Sequence, residues 1–143
     1  MATVLDHTFS TSKPIDQSWA AVTDLERLVP CVEGGSVLSK TSPTSVRAEI
    51  KVKMGAMALQ FVGTVDITEQ NAGSHTATFV VKAQEKGGQG HANATVNMAL
   101  NGSGGTIHTS AQITGKAASM GEGAVIGVLD ALIKDFTTKL ATM

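Results

Sequence analysis

From residue 36 to residue 113 the chain alternates apolar and polar side chains with a period of two, the pattern of antiparallel strands with one buried and one wet face. Val46, Ala48, Ile50, Val52 and Met54 alternate with Arg47, Glu49, Lys51 and Lys53. After a turn at Gly55 and Ala56, a second inward row runs through Met57, Leu59, Phe61, Gly63, Val65 and Ile67. A glycine at an inward position, here Gly63, predicts a bulge or a close approach of backbones. Ala77, Phe79, Val81 and Ala83 make a third row, Ala92, Ala94, Val96, Met98 and Leu100 a fourth, and Ile107, Thr109, Ala111 and Ile113 a fifth. Turns rich in Gly, Asn and Ser separate the rows at 71–74, 86–90 and 101–105. With a short strand at 36–40 before them, these hairpins predict a six-strand antiparallel meander.

Both flanks depart from this pattern. Residues 4–11 alternate loosely around Phe9 and predict a first strand. Pro14, a favoured first helical residue, opens a short helix with Ile15, Trp19 and Val22 that ends near Asp24. Leu25, Leu28 and Val29 continue as a second short helix stopped by Pro30, and a loop follows over 31–35. At the other end, Met120, Ala124, Val128, Ala131, Leu132, Asp135, Phe136 and Lys139 fall at steps of three and four. Lys134 and Lys139 occupy the last turns, where the helix dipole favours cations. A helix over 116–143, at about 1.5 Å per residue, runs about 40 Å and is expected to cross the whole sheet. The order of strand, two short helices, six strands and one long helix predicts an α+β fold. It is a seven-stranded antiparallel sheet with a long C-terminal helix over its inner face, in a single domain over 1–143.

Composition narrows the function. One cysteine excludes an intramolecular disulfide, and a net charge of -1 with 16% charged residues gives no field for a polyanion, so no nucleic-acid partner is expected. Residues 1–12 lack the basic and apolar segments of a secretory signal, which points to the cytosol. Aromatic residues make up 3% of the chain against 42% hydrophobic, with no Tyr, so Val, Ile, Leu, Met and Ala must fill the core.

The residues that invite chemistry are scattered. A zinc site needs three or four converging ligands, but the alternation turns His91 and His108 outward and His75 lies beside a turn; His7 is alone near the start, so no metal is expected. Cys31, between Pro30 and Val32, has no adjacent cation to activate it and reads as a small buried hydrophobe. Gly121, Gly123 and Gly127 imitate a dinucleotide fingerprint, yet no βαβ unit follows them. Glu122, Asp130 and Lys134 interrupt the apolar run well short of the ~18 residues of a membrane span.

One signal points to a ligand. The inward rows contain Ala48, Gly63, Ala77, Ala83, Ala92, Ala94 and Ala111, and the helix stripe offers Ala117, Gly121, Ala124 and Ala131. Small residues facing small ones leave space, and interiors are close-packed, so either the helix sits very near the sheet or something else fills the gap. Met54, Met57, Met98 and Met120 add flexible thioethers suited to adaptable apolar surfaces, although buried Met also serves as plain core filling. The set favours an apolar cavity. Its thin wall is expected at the first half of the helix, where Gly121, Gly123 and Gly127 leave room.

Several segments resemble a known family: Trp19, 25–28 (LERL), Cys31 with Val32, 52–57 (VKMGAM), 61–65 (FVGTV), 88–90 (GQG), Gly105 with Thr106, and 115–121 (GKAASMG). Their order and spacing resemble the carbon monoxide dehydrogenase G-subunit family, itself similar to the START-like, Bet v 1-like helix-grip proteins. The resemblance implies a curved seven-stranded sheet wrapped around a long C-terminal helix and an apolar cavity, with two short helices after strand one. It also implies a non-catalytic accessory role beside a molybdenum-containing carbon monoxide dehydrogenase or related hydroxylase, linking that enzyme to the membrane. Members often carry Pro where this chain has Glu33 and Ala56, so the local loop shape there is open. Many also have a C-terminal extension able to reach the membrane; this sequence stops at Met143.

The expected ligand is an isoprenoid quinone or similar lipid, with no covalent cofactor. The expected binding residues are Leu28, Val32, Ile50, Val52, Met54, Met57, Leu59, Phe61, Phe79, Val81, Ala94, Met98, Met120, Ala124 and Val128, with access near 28–35 and the 54–57 hairpin. The chain is expected in the cytosol as a monomer or weak dimer, with peripheral contact to the inner face of the membrane left open. The rival readings are a small hydrolase or cyclase acting on an apolar substrate, and a docking subunit without a ligand. An enzyme needs ionisable residues inside the cavity, and the inward rows above contain none.

Overall fold

The computed structural model describes residues 2–54, 57–88 and 90–142. The expected turn at Gly55 and Ala56 and the side chain of Met54 lie outside the described residues. In chain order the elements are β1 (Ala2–Ser10), α1 (Ile15–Val22), α2 (Leu25–Leu28), a 3-10 turn (Val29–Cys31), β2 (Gly35–Ser42), β3 (Ser45–Met54), β4 (Met57–Asn71), β5 (Thr76–Glu85), β6 (His91–Asn101), β7 (Gly104–Ile113), α3 (Lys116–Ser119) and α4 (Glu122–Leu140). The seven strands form one sheet in the order β1-β7-β6-β5-β4-β3-β2, and every neighbouring pair is antiparallel. The meander is thus β2 to β7, and β1 closes its far edge against β7.

The alternation sets the two faces. In β3 Val46 and Ala48 are buried while Arg47, Lys51 and Lys53 are exposed. Gly63 stands opposite Ala48 on one side and Ala83 on the other. A Cβ there would lie 1.8 Å from the Lys82 carbonyl oxygen, so the expected close approach is present and only glycine fits it. Between Ile67 and Glu69 the β4–β5 register shifts at a bulge, which bends this 15-residue strand.

Two local expectations change. Pro14 is the N-cap of α1, its carbonyl accepting from the amides of Gln17 and Ser18, and Pro30 lies inside the 3-10 turn rather than ending a helix. The C-terminal helix is also not continuous over 116–143. Gly121 adopts φ +96°, a conformation that residues with a Cβ rarely take, and separates α3 from α4.

Buried residues form two clusters. One gathers Val22, Leu25, Leu28, Val46, Phe79, Met98, Ile107 and Leu140, with Trp19 and Phe136 against it. The other gathers Leu59, Phe61, Ala83, Ile113, Ala117 and Val125, with Val128 and Leu129 against it. The backbone of α4 comes nearest to β1, the 3-10 turn and α3. It thus touches β1 at one edge of the sheet and, toward the other edge, the 3-10 turn that packs on β2, as expected of a helix crossing the sheet, with a cavity between it and the inner faces of β3 to β7.

Candidate functional site: an apolar cavity between sheet and helix

Between the two clusters lies a cavity of about 260 Å³. An apolar cavity of about 150 Å³ holds a benzene ring, so this one has room for more than one ring. Its walls come from β3 (Ile50, Val52), β4 (Phe61, Val65), β5 (Phe79, Val81, Ala83), β6 (Ala92, Ala94, Val96, Met98), β7 (Ile107, Thr109, Ala111, Ile113), the segment around the 3-10 turn (Leu28, Val29, Val32) and the helices (Ala117, Val125, Val128, Leu129, Leu132, Ile133, Phe136). Among the described residues two lining residues carry polar side chains, Asn93 and Thr109, and Asn93 is exposed. Among the described residues no charged side chain lines it. The half-buried members of the wall are Val32 after the 3-10 turn, Ile50 and Val52 of β3, Val81 of β5, Ala92, Ala94 and Val96 of β6, and Val128, Leu129, Leu132, Ile133 and Phe136 of α4.

Leu28, Val32, Ile50, Val52, Phe61, Phe79, Val81, Ala94, Met98 and Val128 of the expected set are brought together on this cavity. Four others are not. Leu59 is 5% exposed but packs in the second cluster, toward the end of β4, and Met57 at the start of β4 is half-buried without reaching the wall. Met120, the C-cap of α3, is 39% exposed because the chain turns outward at Gly121. Ala124 is exposed, one residue off the face that Val125 buries. Met54 falls outside the described side chains.

The thin wall expected from the glycines is also elsewhere. A Cβ built on Gly121, Gly123 or Gly127 would meet nothing within 4 Å, and Ala131 is exposed. These residues form the outer side of α4. The face of α4 that docks is Val125, Val128, Leu129, Leu132, Ile133 and Phe136, so bulky side chains of α4 cover the cavity, and the small residues facing it are those of the sheet and Ala117 of α3.

Ionisable groups do point inward, which the sequence reading missed. His7 follows the inward row of β1 with Leu5 and Phe9, and its Nε2 is 2.7 Å from Asp130 Oδ1 of α4, where the carboxylate accepts. His7 Nδ1 is buried without a partner among the described residues. Glu85, 7% exposed, ends the inward row of β5 with the Lys116 ammonium 3.9 Å away. Parity with Phe9 and with Ala83 was the available signal. Neither His7 nor Glu85 lines the cavity.

The remaining reactive residues are engaged separately. His108 pairs with Asp6 at 2.5 Å, His91 Nδ1 lies 3.1 Å from Thr114 Oγ1, and His75 meets Trp19 edge to face at 5.5 Å. Among the described residues no group of three or more His, Cys, Asp and Glu is placed to hold a metal. Cys31 is buried, and that burial raises its thiol pKa, against a partial lowering by Lys139 and Arg27. Among the described residues no helix is long and apolar enough to cross a membrane.

Comparisons with known proteins bear on this arrangement. A conserved protein from Geobacillus kaustophilus superposes with a TM-score of 0.76 at 17% identity, covering 99% of this chain and 93% of that one. The Zhui aromatase/cyclase from Streptomyces sp. R1128 gives 0.63 at 11% identity, covering 99% and 93%. Ginseng major latex-like protein 151 from Panax ginseng gives 0.55 at 9%, covering 97% and 96%. At these identities the likeness concerns the fold, which is the Bet v 1-like, START-like helix-grip arrangement. A comparison with curated proteins gives no match. The family model described as the carbon monoxide dehydrogenase G-subunit (CoxG) matches residues 8–143, a span that takes in every element carrying the cavity, and the chain therefore belongs to the carbon monoxide dehydrogenase G-subunit family, CoxG.

Proposed function

We propose that this chain binds an apolar small molecule, an isoprenoid quinone or similar lipid, without transforming it. In that role it serves as the membrane-linking accessory partner of a molybdenum-containing carbon monoxide dehydrogenase-type enzyme. The observation that carries the reading is the cavity of about 260 Å³ with almost wholly apolar walls between sheet and α4. The family, named for a component of that dehydrogenase, supports the choice of partner.

The energetics suit a carrier. A ring system with roughly 150–250 Å² of apolar surface gains roughly 4–6 kcal/mol on leaving water. Part of that is lost to immobilisation, so binding is reversible and weak enough to deliver its cargo. The cavity is smaller than the about 300–1,000 Å³ that encloses a drug-sized molecule. A long isoprenoid therefore inserts its ring end or a few units and leaves the rest of its tail outside the cavity.

Catalysis on an apolar substrate would need an acid or base at the wall. The inward ionisable residues, His7 with Asp130 and Glu85 with Lys116, are held in pairs outside it. Native mass spectrometry and solvent extraction of the purified protein test the reading. A co-purifying isoprenoid quinone or lipid at one per chain is expected, and turnover of such a molecule by the protein alone contradicts it.

A further inference from the structure

Thr109 occupies the middle of the inward row of β7, opposite Leu5 of β1 and Val96 of β6. It lines the cavity and is 5% exposed, and its Oγ1 is buried without a hydrogen-bond partner among the described residues. Buried hydroxyls in folded proteins nearly always have a partner. Valine has the same shape and removes the need for one, so a threonine here is unfavourable unless a partner arrives from outside the chain. Water is the usual candidate, but a buried water is held by two to four polar groups. Among the described residues the one other polar side chain of the wall, Asn93, is exposed. An oxygen carried in on an apolar body needs no such set.

We propose that Thr109 is the polar anchor of the cavity, and that the ligand carries one neutral hydrogen-bonding oxygen, a ketone, quinone carbonyl or hydroxyl, on an otherwise apolar frame. The inference rests on the cavity being a ligand site and adds which chemistry that site selects. A threonine hydroxyl donates to a carbonyl and accepts from a hydroxyl, so both classes fit. A carboxylate or ammonium at this depth does not, because among the described residues no opposite charge lines the wall and an unpaired buried charge is strongly disfavoured. Thr109 therefore discriminates oxygenated apolar molecules from plain hydrocarbons, and charged headgroups stay outside the cavity.

The test is a matched pair of probes, tetralin and 1-tetralone, which differ by one carbonyl. Their binding to the full chain is measured by calorimetry for the native sequence and for Thr109→Val and Thr109→Ser. The preference for 1-tetralone over tetralin is expected to fall about five- to tenfold in Thr109→Val, the size of one hydrogen bond, and to survive in Thr109→Ser. Tetralin affinity should not fall in Thr109→Val, and the empty Val variant should melt at or above the native temperature. Independently of any variant, the infrared carbonyl band of 1-tetralone bound to the native protein should lie below its position in an alkane. An unchanged ratio in Thr109→Val, or an unshifted carbonyl band, overturns the role of Thr109 while leaving the cavity a ligand site. Failure of both probes to bind overturns the site and the anchor together.

Discussion

His7 of β1 and Asp130 of α4, 123 positions apart in sequence, meet at 2.7 Å and join the edge strand of the sheet to the helix that closes the cavity. The carboxylate is shared: Lys134 approaches its other oxygen at 2.8 Å. The hydrogen bond from Lys134, then that from His7, holds the Asp130 carboxyl below its ordinary pKa of 3.8. A depressed folded-state value contributes stability above the ordinary pKa, and that contribution is lost as pH falls through the folded value. Asp130→Asn should therefore lower the urea midpoint at pH 6, and the gap to the native protein should narrow at a pH well below 3.8 as the Asp130 carboxyl protonates. Equal gaps at both pH values would remove the pair as a stabilising link.

Gly123 and Gly127 lie on the outer side of α4 with open space where a Cβ would stand. Replacing either by Ala should raise stability by about 0.5–1 kcal/mol, since glycine is that much the poorer helix residue. Binding of an apolar probe should be unaffected. Chemical denaturation and a binding titration on the same samples check both halves. Loss of binding would return these glycines to the cavity wall.

Gly63 behaves in the opposite way. A Cβ there would stand 1.8 Å from the Lys82 carbonyl oxygen and 2.5 Å from the Ala83 Cα, both backbone atoms that cannot swing aside. Gly63→Ala must push β4 and β5 apart and should cost well above the ~1 kcal/mol typical of a point substitution. Thermal melting measures this. A melt within a few degrees of the native value would mean that the strands part easily.

Cys31 should resist modification in the folded protein, because burial raises its thiol pKa and removes it from solvent. Iodoacetamide at pH 8 is expected to label it at the rate at which the chain opens, and rapidly once urea is present. Fast labelling of the native chain would show a reactive thiolate instead.

The strand rows could be read from the sequence because a period of two allows only two faces, and one carries Val, Phe, Ile and Met. The expected residues that line the cavity are mostly strand residues for that reason, from Ile50 through Met98. The helix was harder. Alanine and glycine fit either side of it, so the stripe through Met120, Ala124 and Ala131 competed with the one through Val125, Leu129 and Ile133, and only docking against β1 and the 3-10 turn selects the second. The break at Gly121 depends on a positive φ that a glycine permits but does not announce. His7 was legible by parity with Phe9, but its partner Asp130 lies on another element and could be found only in three dimensions.

The cavity itself is tested most directly by filling it. Ala94 lines it from β6, between Val81 of β5 and Ala111 of β7, and Ala94→Phe would place a ring in the open space. The measurement is the fluorescence of 1-N-phenylnaphthylamine, which brightens in apolar surroundings, titrated against the native chain and Ala94→Phe. Saturable binding at one site per native chain, weakened at least tenfold in a fully folded Ala94→Phe, is the expected result. Equal binding by both proteins, or none by the native chain, would contradict an apolar ligand site between the sheet and α4.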